Sequence, residues 1–216
     1  MKKNAFTLAE VLITLGIIGV VAALVMPGML DRYEKRSTIL KTQKTLASLQ
    51  GAVQLAAAHD GNEYLSANAN VDDFIKWISP YLPIAKRCTS ASDKSCGLYE
   101  VTCLHGRDTG CTQFVDLNRR FLLTSRAAVS FQYYNNSNIR IAIDVDGAKG
   151  KNRVGYDTWI EIYYRPDYGT NLLADYAAED YYPIIAVNWE GCNIKTDAGK
   201  GCLTMVMKDG WKINYR

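Results

Sequence analysis

The sequence predicts an α+β protein in which a long, kinked N-terminal helix packs on an antiparallel β-sheet. Three observations lead to this prediction. An apolar run opens the chain and is followed by helical periodicity as far as residue 58. Alternating apolar and polar residues between positions 127 and 164 are typical of β-strands. Six cysteines in the last 130 residues indicate loops joined by disulfides.

The first element is an apolar segment long enough to cross a membrane. Phe6 to Met26 contains one charged residue, Glu10, and a helix of this length spans about 30 Å, the thickness of a bilayer's hydrocarbon core. Lys2 and Lys3 precede it and favour a cytoplasmic N-terminus. Residues 6–26 are therefore predicted to form a membrane helix, with the rest of the chain on the far side.

Glu10 is costly in such a segment, because a carboxylate near the bilayer must be paired or protonated. The run KKNAFTLAEVLITLGIIGVVAALVMP resembles the class III signal of type IV pilins and type II secretion pseudopilins, since a basic leader, Phe6, Glu10 and Pro27 occur in register. In that family the residue before the cleavage point is usually glycine, and here it is Ala5.

The resemblance implies a processing site and an assembly site. A prepilin peptidase would cleave between Ala5 and Phe6, remove the leader of residues 1–5, and methylate the new amino group of Phe6. Glu10 would pair with the N-terminal ammonium of a sister subunit, and Pro27 would kink the helix. The implied partners are sister subunits, the peptidase and an inner-membrane assembly platform, with the C-terminal domain in the periplasm.

Two other N-terminal segments share part of this pattern. A secretory signal peptide has a shorter apolar core without an acid, whereas this run continues past Ala22 and Ala23 to Met26. An ordinary signal anchor accounts for the length of the run but gives Glu10 no role. The prepilin-like interpretation accounts for both features.

Charge and cysteine content limit the class of the exported part. The formal charge is +3, and removal of Lys2 and Lys3 would leave about +1, so no nucleic-acid partner is expected.

An even number of cysteines is typical of an oxidising compartment, and their short spacings favour pairing of neighbours. Six cysteines allow about 15 connectivities. Zinc is the alternative, but there is no C-x-x-C pair. The favoured pairs are Cys88 with Cys96, Cys103 with Cys111, and Cys192 with Cys202.

Helical periodicity continues beyond Pro27. Leu46, Leu49 and Val53, followed by Ala56 and Ala57, recur at steps of three and four residues and predict an amphipathic half of the helix over residues 27–60. A head domain of residues 61–216 follows. Its first element is a predicted helix over residues 71–78, capped by Asn70.

The remaining head is predicted to contain a meander. Strands are expected over residues 127–134 and 139–145, with a third from Trp159. Residues 86–112 are expected to form an exposed, disulfide-linked insertion, and residues 166–191 a loop. The C-terminal segment fits either a short helix capped by Gly210 or a hairpin turning at Asp209-Gly210, and the helix is favoured.

A second motif lies between two of these strands. Asp144, Asp146, Asn152 and Asp157 accompany several glycines and resemble a D-x-[DN]-G-x-K-G-x-N loop of pseudopilin-like heads. Their oxygens are candidate ligands for Ca²⁺, although the pattern is not that of an EF-hand. The alternative is a tight turn without an ion, in which neighbouring basic residues neutralise the acids: Lys149, Lys151 and Arg153.

No catalytic motif is found, and the two histidines, His59 and His105, belong to none, so no enzymatic activity is expected. Three roles remain open. The first is a structural subunit, pseudopilin or minor pilin, of a type II secretion-like or type IV pilus-like fibre. The second is a binding module at a fibre tip, an adhesin or DNA-uptake pilin, that uses the cysteine-rich loop. The third is an anchored periplasmic protein that does not polymerise.

Overall fold

A computed structural model describes seven segments of the chain, residues 7–60, 70–107, 109–135, 138–164, 185–186, 192–195 and 198–216. The chain divides into two compact units, Met1–Ser37 and Thr38–Arg216. The boundary between them falls inside the first helix, α1 (Leu8–Asp60). The helix continues through Pro27, and the predicted bend at that proline stays a prediction.

In the second unit, one side of α1 is buried. The buried positions recur every three or four residues and lie on one face, as the periodicity predicts. They include a set of threonines that the apolar pattern does not reveal, and the full set is Thr38, Ile39, Thr42, Thr45, Leu46, Leu49, Ala52, Val53 and Ala56. The helix therefore places hydroxyl groups in the core, where each needs a hydrogen-bond partner.

Thr42 is the threonine that connects α1 to the sheet. Its hydroxyl donates to the carbonyl oxygen of Thr38 at 2.8 Å and accepts the indole N–H of Trp159 at 2.7 Å. Thr42 is fully buried and Trp159 is 1% exposed, so no water can replace this bond. The hydroxyl of Thr45, by contrast, donates only within the helix, to the carbonyl of Lys41 at 2.9 Å.

Thr42→Val is expected to lower the free energy of unfolding by about 1–3 kcal/mol, because it leaves the buried indole N–H of Trp159 without an acceptor. Thr45→Val is the matched control, since the hydrogen bond of the Thr45 hydroxyl that the structure describes lies within the helix. Urea unfolding of the detergent-solubilised chain, followed by tryptophan fluorescence, measures both. Equal losses for the two variants would show that the bond to Trp159 contributes nothing.

The sheet is a six-stranded antiparallel meander in the order β1-β2-β3-β4-β5-β6. Its strands are β1 (Ile84–Cys88), β2 (Arg120–Leu123), β3 (Ala128–Asn135), β4 (Asn138–Asp144), β5 (Thr158–Tyr164) and β6 (Ile185–Ala186). The three predicted strands correspond to β3, β4 and β5. Strands β1, β2 and β6 were not predicted, and β6 lies within the segment expected to be a loop.

The first face of the sheet packs against the helices. Ile139, Ile141 and Ile143 alternate along β4 and belong to the same buried cluster as Leu46 and Leu49 of α1. Helix α2 (Val71–Ile78) adds Phe74, Trp77 and Ile78 to this cluster. The fold class is thereby confirmed, as a long helix on an antiparallel sheet.

Both short helices of the head form where the sequence predicts them. The Asn70 side chain accepts the backbone N–H groups of Asp72 and Asp73 at 2.9 and 3.0 Å, as its position before α2 predicts. At the C-terminus the helix prediction holds, because α3 (Cys202–Lys208) forms and Gly210 has a φ of +67°. Most of the predicted loop over residues 166–191 lies outside the described residues.

The second face of the sheet is covered by the disulfide-linked segment, residues 86–112. It has the two predicted bridges and many exposed residues, but it is not only an exposed insertion, because part of it is buried against the sheet. Leu98, Val101 and Cys111 are fully buried and pack with Ala128 and Ala142 of the sheet. The three bridges are the local ones that the spacings favour: Cys88–Cys96, Cys103–Cys111 and Cys192–Cys202. The head therefore has three layers: helices, sheet and disulfide-linked segment.

Arg120 attaches this third layer to β2. Its side chain is fully buried and donates four hydrogen bonds to backbone carbonyls between 2.7 and 2.9 Å. The acceptors are the carbonyl oxygens of Ser90, Asp93, Gly97 and Leu117. Three of these acceptors belong to the disulfide-linked segment, so one guanidinium group satisfies irregular backbone carbonyls there and holds the segment against β2.

Candidate functional site

The first unit exposes a continuous apolar surface. Residues 11–30 contain no charged side chain, and their large apolar residues are between 43% and 65% exposed, apart from Leu24 at 77%. The helix contains an 18-residue window with a mean hydropathy of 2.5, none of which is buried in the structure. This length and composition suffice to cross a membrane, and the apolar surface extends to Leu30, beyond the predicted end at Met26.

Charged side chains begin directly after this surface. Asp31 and Lys35 form an ion pair at 2.9 Å, one helical turn apart. Such exposed pairs contribute little to stability, but they mark where the apolar surface ends.

Glu10 closes a capping box at the start of α1. Its carboxylate oxygen Oε2 accepts the backbone N–H of Thr7 at 2.8 Å and the Thr7 hydroxyl at 3.0 Å. In return, the Thr7 hydroxyl oxygen accepts the backbone N–H of Glu10 at 3.3 Å. This reciprocal arrangement satisfies two N–H groups that the first helical turn leaves unpaired.

The capping role of Glu10 was missed in the sequence, although Thr7-Leu8-Ala9-Glu10 has the required T-x-x-E spacing. Glu10 is therefore bonded even within a single chain. The two predicted processing residues, Ala5 and Phe6, lie outside the described residues. Glu10 remains exposed, so its carboxylate is accessible to a group from another molecule.

The second candidate site is the loop that connects β4 to β5. Asp144, the last residue of β4, is fully buried. Its Oδ1 accepts the backbone N–H groups of Asp146 and Gly147 at 3.1 and 3.0 Å, whereas its Oδ2 is buried without a donor. Burial raises the pKa of Asp144 well above its usual range, and the nearby charge of Asp157 raises it further.

Two further oxygens of this loop are buried without a donor. They are Oδ1 of Asp146 and Oδ1 of Asn152, a residue that is 7% exposed. Burial also raises the pKa of Asp146, and the charge of Lys41 on α1 opposes this rise. The loop thus holds three buried oxygens that receive no hydrogen bond from another element, and the side chains of Asp144 and Asp146 are hydrogen-bonded to each other.

Asp157 has a different role from the other predicted ligands. Its Oδ2 accepts the backbone N–H of Lys151 at 2.6 Å, and its Oδ1 accepts that of Arg153 at 2.7 Å. Asp157 therefore braces the loop from inside. Among the residues that the structure describes, no three or more Asp, Glu, His or Cys side chains are grouped so as to hold a metal ion.

The basic residues of the loop are directed to other groups. The guanidinium of Arg153 donates to the carbonyl of Leu104 and lies 4.4 Å from the ring centre of Tyr156. The ammonium of Lys151 lies 5.2 Å from the same ring. Lys149 is exposed. Arg153 and Lys151 thus both contact the ring of Tyr156.

Neither histidine lies in an arrangement typical of catalysis. The ring of His59 stacks on Tyr81 with centres 5.7 Å apart, at the end of α1. Nδ1 of His105 accepts the backbone N–H of Arg107 at 3.1 Å, within a turn. Both contacts are structural.

Glu10 and most of the apolar surface lie in the part of the chain that matches a known family model. Searches against curated proteins and against solved structures found no match. Residues 1–26 match the family model of the prokaryotic N-terminal methylation motif, whose members are structural rather than catalytic. Residues 1–26 of the chain therefore form a class III prepilin-like signal, the N-terminal segment that type IV pilins and pseudopilins carry.

Proposed function

We propose that this protein is a pseudopilin or minor pilin, a structural subunit of a type II secretion-like or type IV pilus-like fibre. Prepilin peptidase processes it, and an inner-membrane platform assembles it. The observation that carries this proposal is the uncovered apolar surface of residues 11–30, most of which lies within the methylation motif at residues 1–26. A surface of this size is stable only in lipid or against other apolar helices.

Assembly moves the apolar surface of residues 11–30 from lipid into contact with the helices of other subunits. While the subunit waits in the membrane, its apolar residues contact lipid, and extraction into water would cost about 25 cal/mol for each Å² exposed. In a fibre, the same residues contact the helices of sister subunits. The exchange costs little because both surroundings are apolar, so specific polar contacts can decide when it occurs.

Glu10 is suited to supply such a contact. Cleavage between Ala5 and Phe6 would create an ammonium group one residue before Thr7, the capping partner of Glu10. A carboxylate in apolar surroundings gains most from an opposite charge, and loss of either partner is costly. Glu10 of one subunit would thus fix the register of the next by pairing with its N-terminus.

The tip-binding alternative receives less support. It uses the disulfide-linked segment as a contact surface, and the apolar residues of that segment are already buried against the sheet. Its exposed side chains, such as Lys94 and Glu100, form an ion pair at 3.2 Å.

Mass spectrometry of the protein purified from cells that contain a prepilin peptidase tests the proposal. The expected mature chain begins at Phe6 and carries one methyl group on its amino terminus. Ala5→Leu is expected to accumulate as uncleaved precursor, because a large side chain does not fit a site for small residues, whereas Ala5→Gly is cleaved. An intact Met1 in the wild-type protein would contradict the proposal and favour an anchored protein that does not polymerise.

A further inference from the structure

We infer that Arg32 and Arg36 bind the phosphate groups of anionic phospholipids, at the membrane surface that α1 reaches after its apolar residues. The inference rests on the proposed function, because a subunit that waits for assembly keeps residues 11–30 in the bilayer. It adds a charged lipid ligand to a helix that is otherwise described only as crossing the hydrocarbon core. The two arginines would hold the subunit at a fixed depth until assembly begins.

The position of the two arginines along α1 places them among the lipid headgroups. Residues 11–30 rise about 30 Å in a helix, which equals the thickness of the hydrocarbon core. Arg32 and Arg36 then follow Leu30 by about 3 and 9 Å. A headgroup layer is about 5–8 Å deep. Because helical side chains lean towards the N-terminus, which is here the membrane side, both guanidinium groups reach this layer.

The neighbouring charges leave these two arginines together on one side of the helix. Residues four apart are neighbours on a helix surface, so Arg32 and Arg36 lie side by side. Glu34 is two residues from each of them, about 200° around the helix, and Lys35 is paired with Asp31 at 2.9 Å. Both arginines are exposed, and within the part of the chain that the structure describes neither forms an ion pair.

The chemistry of this segment suits an anionic lipid. A guanidinium group bonds two oxygens of a phosphate at once, and each basic side chain near an anionic surface favours it by about fivefold. Tyr33, between the arginines, is 74% exposed, and tyrosine is enriched where the acyl chains meet the headgroups. Since the arginines directly follow the apolar surface of residues 11–30, the phosphate belongs to a lipid and not to a soluble ligand.

Electron spin resonance of the full-length chain, reconstituted in phosphatidylcholine bilayers with a trace of spin-labelled lipid, tests the inference. Lipids that contact a membrane helix are restricted in motion, so the restricted fraction reports how strongly each labelled lipid associates. Phosphatidylglycerol is expected to associate about two- to fivefold more strongly than phosphatidylcholine, averaged over the lipids around the helix. The preference is expected to disappear at about 1 M salt, where the Debye length is about 3 Å.

The variants are compared in a reference chain that carries Lys2→Gln and Lys3→Gln, because these two lysines would attract the same lipid at the opposite surface. In this chain, Arg32→Gln with Arg36→Gln is expected to associate equally with both labelled lipids. The matched control, Lys44→Gln with Lys212→Gln, removes the same charge from two exposed positions outside residues 31–36. It is expected to keep the preference of the reference chain.

Equal association of both lipids with a reference chain that does restrict lipid would overturn the inference and leave the proposed function standing. A preference that survives removal of both arginines would also overturn it. If that variant fails to enter fibres as well, the arginines bind acidic side chains of a sister subunit. Loss of the preference in the lysine control would assign it to net charge. No restricted lipid at all would contradict membrane insertion, and with it the proposed function.

Discussion

Glu10→Ala is expected to abolish incorporation of this protein into fibres while membrane insertion continues. Insertion depends on the apolar residues of the helix, and removal of a carboxylate favours it. Incorporation would fail because the N-terminal ammonium of the neighbouring subunit loses its partner in apolar surroundings. Membrane fractionation measures insertion, and recovery of the subunit in sheared or purified fibres measures incorporation.

The capping box gives this experiment its controls. Glu10→Gln keeps an oxygen that can accept from Thr7, since glutamine also serves in capping boxes, but it removes the charge. Thr7→Val keeps the charge but removes the hydroxyl that donates to Glu10 and accepts its N–H. If charge pairing controls assembly, Glu10→Gln fails like Glu10→Ala, and Thr7→Val assembles once its cleavage has been verified.

The opposite pattern of results would show that Glu10 acts by capping its own helix and not by pairing with another subunit. Assembly by Glu10→Gln together with failure of Thr7→Val would show that fibre formation needs the cap and not the charge. Assembly of Glu10→Ala at the wild-type level would contradict both roles.

Arg120→Met is expected to destabilise the head by about 3–5 kcal/mol, because each buried carbonyl oxygen left without its donor costs about 1–3 kcal/mol. The variant fills most of the space of the fully buried side chain but leaves four carbonyl oxygens without their donor. Arg120→Lys should recover only part of this loss, because an ammonium cannot reach acceptors that a planar guanidinium bonds on several sides.

The adjacent arginine is a matched control. Arg119 forms ion pairs with Asp72 and Asp116, but its side chain is 34% exposed. Arg119→Met is therefore expected to cost no more than about 1 kcal/mol. Urea unfolding of the oxidised chains compares the two positions, and equal losses at Arg119 and Arg120 would contradict the attachment role of Arg120.

The long helix, three strands and both short helices could be predicted from sequence because their signals are local. Leu46, Leu49 and Val53 show the helical period, and Ile139, Ile141 and Ile143 show the strand period. The cap at Asn70 and the glycine at Gly210 follow from backbone chemistry that a few neighbouring residues determine.

What could not be predicted depends on contacts between distant residues. Strands β1 and β2 are short, and their pairing places Cys88 opposite Arg120, which no local pattern reveals. The threonines of α1 look polar in sequence, yet Thr42 is buried because Trp159 lies against it, 117 residues away. The sequence of the disulfide-linked segment is typical of a polar loop, because its buried residues do not recur at the spacing of a helix or a strand.

The candidate sites divide in the same way. Glu10 was singled out because a charge in an apolar run is visible in sequence, and its bond to Thr7 was missed although the T-x-x-E spacing was visible too. The acids of the β4–β5 loop are also visible, but the sequence does not distinguish Asp157, which braces the loop through two backbone N–H groups, from the buried Asp144.

The two alanines beneath the disulfide-linked segment limit which substitutions the head can accept. Ala128 and Ala142 are fully buried, their side chains end at Cβ, and they pack in one cluster with Leu98 and Val101 of the segment above. A larger residue at either position would lift that segment, and with it Gly97, from the aspartates below. Surface loops can lengthen at little cost, whereas these two positions accept only a small side chain while the covering segment keeps its place.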